Sequence, residues 1–448
     1  MNSPAAIFPA DAGASQAPAT AAEDATYRQI AWRLIPVLFA CYVFNYLDRT
    51  NIGYAQLQMK SDLGFSDAVF GLGAGIFFIG YALFEIPSNM LLARVGFRLT
   101  LLRIMGLWGL ASAATLWVTT PAQFYVLRFL VGVFEAGFAP GVLFYLTLWF
   151  PSQRRAKVTA LFFMAYGAAP IIAGPLAGVT MTYLDGALSL HGWQWLFIVE
   201  GLPCVLLAVL AYRLLDDGPQ AARWLTPAQK RQVQDDLARD QAASGADARS
   251  SFGSALRNGQ VWLLGFISFL VILGIYAMSF WQPTMLQSMG LSVMQIGLYS
   301  VVPAATGIVA TLLIAGHSDR RQERRWHFAV TACIGAAGLS LTTLFMHSPV
   351  AAVACLSLAS IGISSAFAIL WAVPGSLLSR NAAAMGIALI TTIGGTAGVV
   401  APVMVGAIKA ATGGFALSLY LLSGALVLAA VLMVLMVLAV GRGRQATH

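Results

Sequence analysis

The sequence predicts an all-α membrane protein: twelve transmembrane helices in two six-helix bundles related by a pseudo-two-fold axis. Three observations carry this. Of 448 residues, 59% are hydrophobic and only 10% charged, against roughly 25% charged in a soluble domain. A chain of that composition cannot cover itself with polar surface, so its solvent is lipid. The apolar residues fall in twelve stretches, each long enough to cross, since ~20 residues suffice. The two halves also repeat their punctuation at matching places.

The location of the charges sets the topology. The formal net charge of +8 would suggest a nucleic-acid partner in a soluble protein. Here, of 26 lysines and arginines, Arg49 and Arg128 fall deep inside apolar spans, and only Lys60 and Lys409 fall on one side. All the others fall on the opposite side or within the span turns nearest it, which the positive-inside rule makes cytoplasmic. The basic balance is therefore a topology signal, and no nucleic-acid partner is expected. Cys41, Cys204, Cys333 and Cys355 lie singly in separate apolar spans, so neither a disulfide framework nor a metal spacing is present. The histidines sit at or beyond span ends with no i,i+4 pair, and no metal or cofactor is expected.

Residues 1–29 are rich in Ala, Pro and Ser and lack the basic segment and apolar core of a signal peptide; they read as a disordered cytoplasmic tail. The first span covers about Ile30–Tyr54, followed by an outer loop with Lys60 and Asp62. The second, about Asp67–Leu92, returns to a tight basic loop, Arg94-Val95-Gly96-Phe97-Arg98. The third covers about Leu99–Thr119, and Pro121 marks a short outer turn. The fourth spans about Gln123–Phe150, with Arg154, Arg155 and Lys157 beyond it. The fifth covers about Val158–Leu184 and the sixth about Trp193–Leu215. Composition changes sharply at Asp216. Residues 216–258 are charged and polar and form a cytoplasmic linker, with a surface helix expected near Pro227–Asp240. Six further spans follow, at about 259–281, 292–315, 327–346, 350–372, 383–408 and 415–440. The chain thus divides into the tail 1–29, a first bundle 30–215, the linker 216–258, a second bundle 259–440 and a cytoplasmic tail 441–448. Both termini are placed in the cytoplasm.

The halves look like copies. The second span of each ends in a short basic loop: Arg94–Arg98 in one, Ser318-Asp319-Arg320-Arg321 in the other. The fifth span of each carries Gly and Pro at intervals: Gly167, Pro170, Gly174, Pro175 and Gly178, then Gly394, Gly395, Gly398, Pro402 and Gly406. Small residues three or four apart let helices approach closely. Duplicated bundles with a midplane site between them are a transporter architecture.

Four ionisable groups stand out against this background: Asp48, Arg49, Arg128 and Glu135. Each charge at a bilayer centre costs ~2.5–3.5 kcal/mol even on lenient insertion scales. Glu135 follows Arg128 by seven residues, on the same helix face and ~10 Å deeper. If the first helix ends near Tyr54, Arg49 lies at the depth of Arg128. Arginine is always charged and presents a planar fork that fits a carboxylate, so Arg49 and Arg128 suit an anionic substrate. Asp48 and Glu135 can carry protons, because desolvation favours the neutral carboxyl; Glu135, being deeper, is the first choice. The competing structural reading pairs Asp48 with Arg128 or makes both pairs latches. Glu85 reads as structural, with Arg94 or a helix terminus as partner, and Glu200 as an interface residue near the outer end of the sixth span. Tyr46 and Tyr81 are candidates for the cavity lining; in the second half Tyr276, Gln282, Thr391 and Thr392 are polar candidates. No phosphate-binding loop occurs, so a gradient or facilitated diffusion is the expected energy source.

The twelve-span plan with a large central loop resembles the major facilitator superfamily. Asn45-Tyr46-Leu47-Asp48-Arg49-Thr50-Asn51-Ile52 resembles the first-helix signature of its anion:cation symporter family. Phe84-Glu85-Ile86-Pro87-Ser88-Asn89 with Arg94–Arg98, and Arg128 through Glu135 to Gly137, are similar to that family too. The resemblance implies a major facilitator fold and proton-driven uptake of organic anions; the bacterial relatives it suggests carry tartrate, sugar acids, phthalate or 4-hydroxyphenylacetate. Residue by residue it implies Arg49 and Arg128 as anion or gating residues and Asp48 and Glu135 as protonation sites. It also implies gating roles for Arg94, Gly96, Arg98, Asp319 and Arg320. The superfamily's inner loop usually has an acid where this chain has Ala93, which puts the usual charge latch in doubt.

The resulting expectation is a proton-coupled importer of a small carboxylate (hydroxy acid, sugar acid or aromatic acid), working by alternating access. It is expected to be a monomer in a bacterial inner membrane, with a small organic anion and protons as partners. A proton-driven efflux antiporter is the first alternative, suggested by the Gly/Pro pattern of the fifth span. A membrane sensor would need a signalling domain that 216–258 is too short and polar to be. An enzyme would need a nucleophile–base pair or metal cluster that no span carries.

Overall fold

The computed structural model of the protein describes residues 21–244, 256–374 and 380–445. The expected tail residues 1–20, linker residues 245–255 and terminal residues 446–448 lie outside the described residues. Within them, twelve helical segments are long and apolar enough to cross a membrane.

The first half comprises α1 (Ala21–Leu63), α2 (Asp67–Val95), α3 (Phe97–Ala113), α4 (Pro121–Glu135), α5 (Phe138–Thr147), α6 (Ser152–Tyr183) and α7 (Gly192–Leu214). The linker holds α8 (Pro227–Ser244). The second half comprises α9 (Gly259–Gln287), α10 (Val293–Tyr299), α11 (Val301–Arg321), α12 (Arg325–Leu344), α13 (Pro349–Leu370), α14 (Arg380–Gly395), α15 (Ala397–Thr412) and α16 (Ala416–Gln445). Among the described residues, α8 is a linker helix, and the other fifteen helices make twelve spans because α4 and α5, α10 and α11, and α14 and α15 are each one interrupted span.

Local chemistry sets the boundaries. Thr120 and Gln123 form a reciprocal capping box at the start of α4, with Pro121 in its first turn. Ser292 and Gln295 do the same for α10. Gly137, at φ +88°, ends α4 and lets α5 begin in a new direction.

The first helix departs from expectation at both ends. It begins at Ala21 because its first turns are held by α8: the Tyr27 hydroxyl donates to Asp236 (2.8 Å), and Gln229 donates to Gln29 (3.0 Å). It runs past Tyr54 to Leu63, stopping where Gly64 turns left-handed at φ +67°. That longer course moves Arg49 away from the helix end.

The two faces of the bundle differ. On the linker face, α8 is tied to the first half, with Asp240 accepting from the Ser152 amide (3.0 Å) and pairing with Arg155 (3.4 Å). On the opposite face the two halves are packed together, α2 on α15, α6 on α10 and α1 on α9. Gly174 and Gly297 let α6 and α10 touch backbone to backbone; a Cβ on either would collide with the other's carbonyl. Gln56 donates to the Phe280 carbonyl and Gln287 to the Leu57 carbonyl, both at 2.8 Å, so polar groups join the halves as well. One apolar cluster runs through both halves, and a second fills the linker-face end of the first half.

Candidate functional site

On α1, Tyr42, Tyr46 and Arg49 are spaced by four and three residues and share one face. Asp48, turned ~100° from Arg49 along the helix, leaves that face. The two neighbouring charges therefore enter different environments.

Arg49 meets Glu135. Its Nε lies 3.1 Å from Glu135 Oε1, and a terminal nitrogen bonds the same oxygen. Glu135 is fully buried, whereas one-fifth of the Arg49 side chain stays accessible, so a ligand can reach the arginine. The pairing follows from helix length. Arg49 is fourteen residues from the end of α1 at Leu63, and Glu135 is fourteen residues from the start of α4 at Pro121, so each lies ~20 Å below the same face. Arg49 is therefore level with Glu135 and not, as expected, with Arg128.

Arg128 is 2% exposed, and its Nε and one terminal nitrogen have no hydrogen-bond partner among the described residues. Its Cζ lies 5.1 Å from the centre of the Phe77 ring, and the Cζ of Arg49 lies 5.5 Å from the same ring. Phe77 thus holds both guanidinium groups by cation–π contact. Close packing of α2 on α4 at Gly132, where a Cβ would strike the Phe77 carbonyl, puts the ring there. Leaving two nitrogens of a buried guanidinium without hydrogen bonds is costly.

Asp48 does not pair with Arg128. It accepts from Trp108 Nε1 (2.9 Å), Ser112 Oγ (2.6 Å), Cys204 Sγ (3.0 Å) and Asn51 Nδ2 (3.4 Å). These donors come from α1, α3 and α7 and lock the carboxyl into the first half. Glu200, expected at an interface, is only 1% exposed, and its Oε2 has no partner. Glu85 forms no ion pair with Arg94 among the described residues.

Aromatic rings surround Arg49. Tyr81 lies with its ring centre 5.5 Å from the Arg49 Cζ. Tyr46 meets Tyr166 of α6 edge to face at 5.3 Å. Tyr276 of α9 faces Arg49 from the other half and packs on Phe78 at 4.6 Å. Thr391 and Thr392 donate to the carbonyls of Ile387 (2.8 Å) and Ala388 (3.0 Å) of their own helix. Gln282 keeps a buried nitrogen without a partner.

The loop residues divide between partners. Gly96 takes φ +86° between α2 and α3, and the Arg98 amide donates to Asp217 (2.9 Å) while its guanidinium donates to the Tyr212 carbonyl (2.7 and 3.0 Å). Arg94 and Arg320 are exposed. Asp319 pairs with Arg324 at 3.0 Å. On the opposite face Asp67 of α2 takes Lys60 (2.5 Å) and Lys409 of α15 (3.1 Å), which bridges the halves. Two lysines on an otherwise charge-poor side were the only signal of this bridge in the sequence.

Comparison with known proteins identifies the family. The model of the Major Facilitator Superfamily matches residues 38–402. The chain is 44% identical to a protein of Pseudomonas putida provisionally named metabolite transport protein NicT, over 92% of this chain and 94% of the relative. It is 41% identical to a provisionally named tartrate transporter of Agrobacterium vitis, over 92% and 91%. It is 40% identical to a quinolone resistance transporter of Acinetobacter baumannii, over 90% and 92%. Among solved structures, a bacterial homologue of the human lysosomal transporter Spinster superposes with a TM-score of 0.75 at 19% identity, covering 91% of this chain and 96% of that one. A D-xylose–proton symporter gives 0.70 at 17% identity, covering 90% and 97%. At those identities the structures speak for the fold alone.

Proposed function

The chain belongs to the Major Facilitator Superfamily, and from that premise we propose that it is a proton-coupled importer of a small carboxylate. It is a multi-pass membrane transporter and not an enzyme. The observation that carries the proposal is Arg128, a buried guanidinium whose Nε and one terminal nitrogen lack a hydrogen-bond partner among the described residues and which shares the Phe77 ring with Arg49 of the Arg49–Glu135 pair. The tartrate transporter's name supports an organic anion as cargo.

The pair couples protons to the anion as follows. With Glu135 ionised, Arg49 is held by it. Protonation of Glu135 removes that attraction and frees Arg49 to join Arg128 on a carboxylate, which suits a planar guanidinium fork. Proton and anion then load together. Loading relieves the buried positive charge, and the halves rock about their contacts. Release of the proton on the other side lets Glu135 recapture Arg49 and expel the anion. Asp48, held by its four donors, is the second protonation site of this reading.

The linker face is cytoplasmic in this proposal, because the basic loops gather there, and the membrane is the bacterial inner membrane. The packed opposite face then faces outward, so the arrangement is one closed to the outside. Arg94, Gly96, Arg98, Asp319 and Arg320 are proposed as gating residues at the cytoplasmic ends of α2, α3 and α11.

The test is uptake by the purified chain in liposomes with an inside-alkaline gradient, using a panel of radiolabelled carboxylates. Accumulation that a protonophore collapses supports import. A second reading, proton-driven efflux, is favoured by the quinolone resistance relative. Gradient-driven removal of a quinolone without carboxylate uptake would establish that reading instead.

A further inference from the structure

We infer that Glu85 is the exit-side proton acceptor of the transport cycle: it takes the proton that Glu135 releases and passes it to water on the linker face. This rests on the proton-coupled reading above and adds to it the residue that carries the proton out.

Depth places Glu85 on the route. Tyr81 is fourteen residues from the start of α2 at Asp67, the same count that separates Arg49 and Glu135 from the ends of their helices on that face. Tyr81 is therefore level with the pair, and its ring centre lies 5.5 Å from the Arg49 Cζ. Glu85 follows Tyr81 by one turn on the same helix face, ~6 Å nearer the linker face. The apolar outer side of this stretch is formed by Leu83, Ile86 and Met90, all exposed, so Glu85 lies on the protein side. It is half-buried, whereas Glu135 is fully buried.

The Glu85 carboxyl is uncommitted. Asn89 donates to the Glu85 backbone carbonyl (2.8 Å), and the side-chain oxygens take no hydrogen bond or ion pair among the described residues. The charged groups around it come from few elements. From α1, Arg49 acts on it electrostatically, and from α4, Glu135 lies on the far side of Tyr81, which feels both carboxyls. From α3, Arg103 is occupied by the Ser88 hydroxyl (2.7 Å). Helix α5 carries no charge, and Lys409, the one charge of α15, is held by Asp67 at the opposite face. On α2 itself, Arg94 is exposed near the helix end. An ionisable group inside a span is costly, and no structural ion pair accounts for this one.

The chemistry asks for such a group. Glu135 holds Arg49 through Oε1, and its Oε2 is buried without a partner among the described residues. Oε2 is therefore the oxygen open to a proton. A hydronium ion leaving it for the linker face passes the Arg49 guanidinium, which repels it. A carboxylate one turn beyond offsets that repulsion. In the step, the O–H bond on Glu135 breaks and one forms on Glu85, directly or through water. Glu135 becomes a carboxylate and recaptures Arg49. Glu85, being half-buried, then gives the proton to water on the linker side and is again a carboxylate.

Net uptake and counterflow by the purified full chain in the same liposomes test this. Net uptake needs the proton to leave on the inner side, whereas counterflow exchanges labelled for unlabelled anion with the proton still aboard. Glu85→Gln should slow net uptake in an inside-alkaline gradient about tenfold or more, a part of the ~10²–10⁴ that a positioned acid–base group supplies, and leave counterflow intact. Glu85→Asp keeps a carboxyl on a shorter stem and should recover most of the net uptake. Both variants are scored by the ratio of net uptake to counterflow, which a loss of folded protein does not move. An unchanged ratio in Glu85→Gln overturns this inference and leaves coupled import standing. A ratio in Glu85→Asp as low as in Glu85→Gln overturns it too, because a proton acceptor needs only the carboxyl. A parent protein that accumulates no carboxylate overturns the coupled-import reading and this inference together.

Discussion

Arg49 and Glu135, 86 positions apart in the chain, bond one another within the first half, while Asp48, the immediate neighbour of Arg49, turns away and bonds Trp108, Ser112 and Cys204. Two adjacent charges thus serve different purposes. One is accessible and can exchange its partner for a ligand; the other is sealed by donors that a transported molecule does not reach.

The unpaired state of Arg128 leads to the first prediction. Arg128→Lys keeps the charge but loses the planar fork. Hydrogen bonds to charged groups are worth about 1.5–3 kcal/mol, so anion affinity should fall tenfold or more with the protein still folded. Equilibrium binding of the transported acid at one pH measures this. An unchanged affinity would move the clamp elsewhere.

The Asp67–Lys409 contact leads to the second. It is a partly buried ion pair between the halves, with side chains 15% and 12% exposed. Such pairs are worth up to about 1 kcal/mol, so Lys409→Ala should raise the population open at that face by at most about fivefold. A cysteine placed at Ala74, in a variant without the native cysteines, would report this through labelling by an impermeant maleimide. Slower labelling than in the parent would contradict the gate.

The fold was legible from hydropathy alone, because lipid as solvent demands long apolar helices. Legibility failed at polar helix ends. Gln56, Gln58 and Lys60 read as loop, yet α1 continues through them, and that extension is what sets Arg49 level with Glu135. The charged residues of the site were all visible as costly charges in apolar spans; their partners were not. Which way Asp48 points depends on Trp108 and Cys204 from two other helices, and Lys409 meets Asp67 across 342 positions. Glu200 was misplaced because a carboxyl near a span end looks accessible in one dimension. Its burial comes from the packing of α7 on α3 and α1.

The turn between α11 and α12 supplies a pH-dependent prediction outside the membrane-spanning segments. Partial burial of the Glu323 carboxyl opposes ionisation, but the Trp326 amide and then the His327 side chain and amide outweigh it and hold the group below its usual 4.5. A carboxyl with a depressed folded value stabilises the fold above its unfolded value and loses that contribution as pH falls through the folded one. Glu323→Gln should therefore lower thermal stability at neutral pH, with the difference from the parent shrinking as pH drops below 4.5. A difference that grows on acidification would contradict this assignment.

The central claim is that proton binding at Glu135 and anion binding at the arginines are one event. Glu135→Gln mimics the permanently protonated carboxyl, so it tests the claim most directly when accumulation and counterflow are measured side by side in liposomes. The account predicts that the variant loses accumulation driven by an inside-alkaline gradient while still exchanging labelled for unlabelled anion. Accumulation against a gradient that survives in the variant, and still collapses with a protonophore, would contradict it.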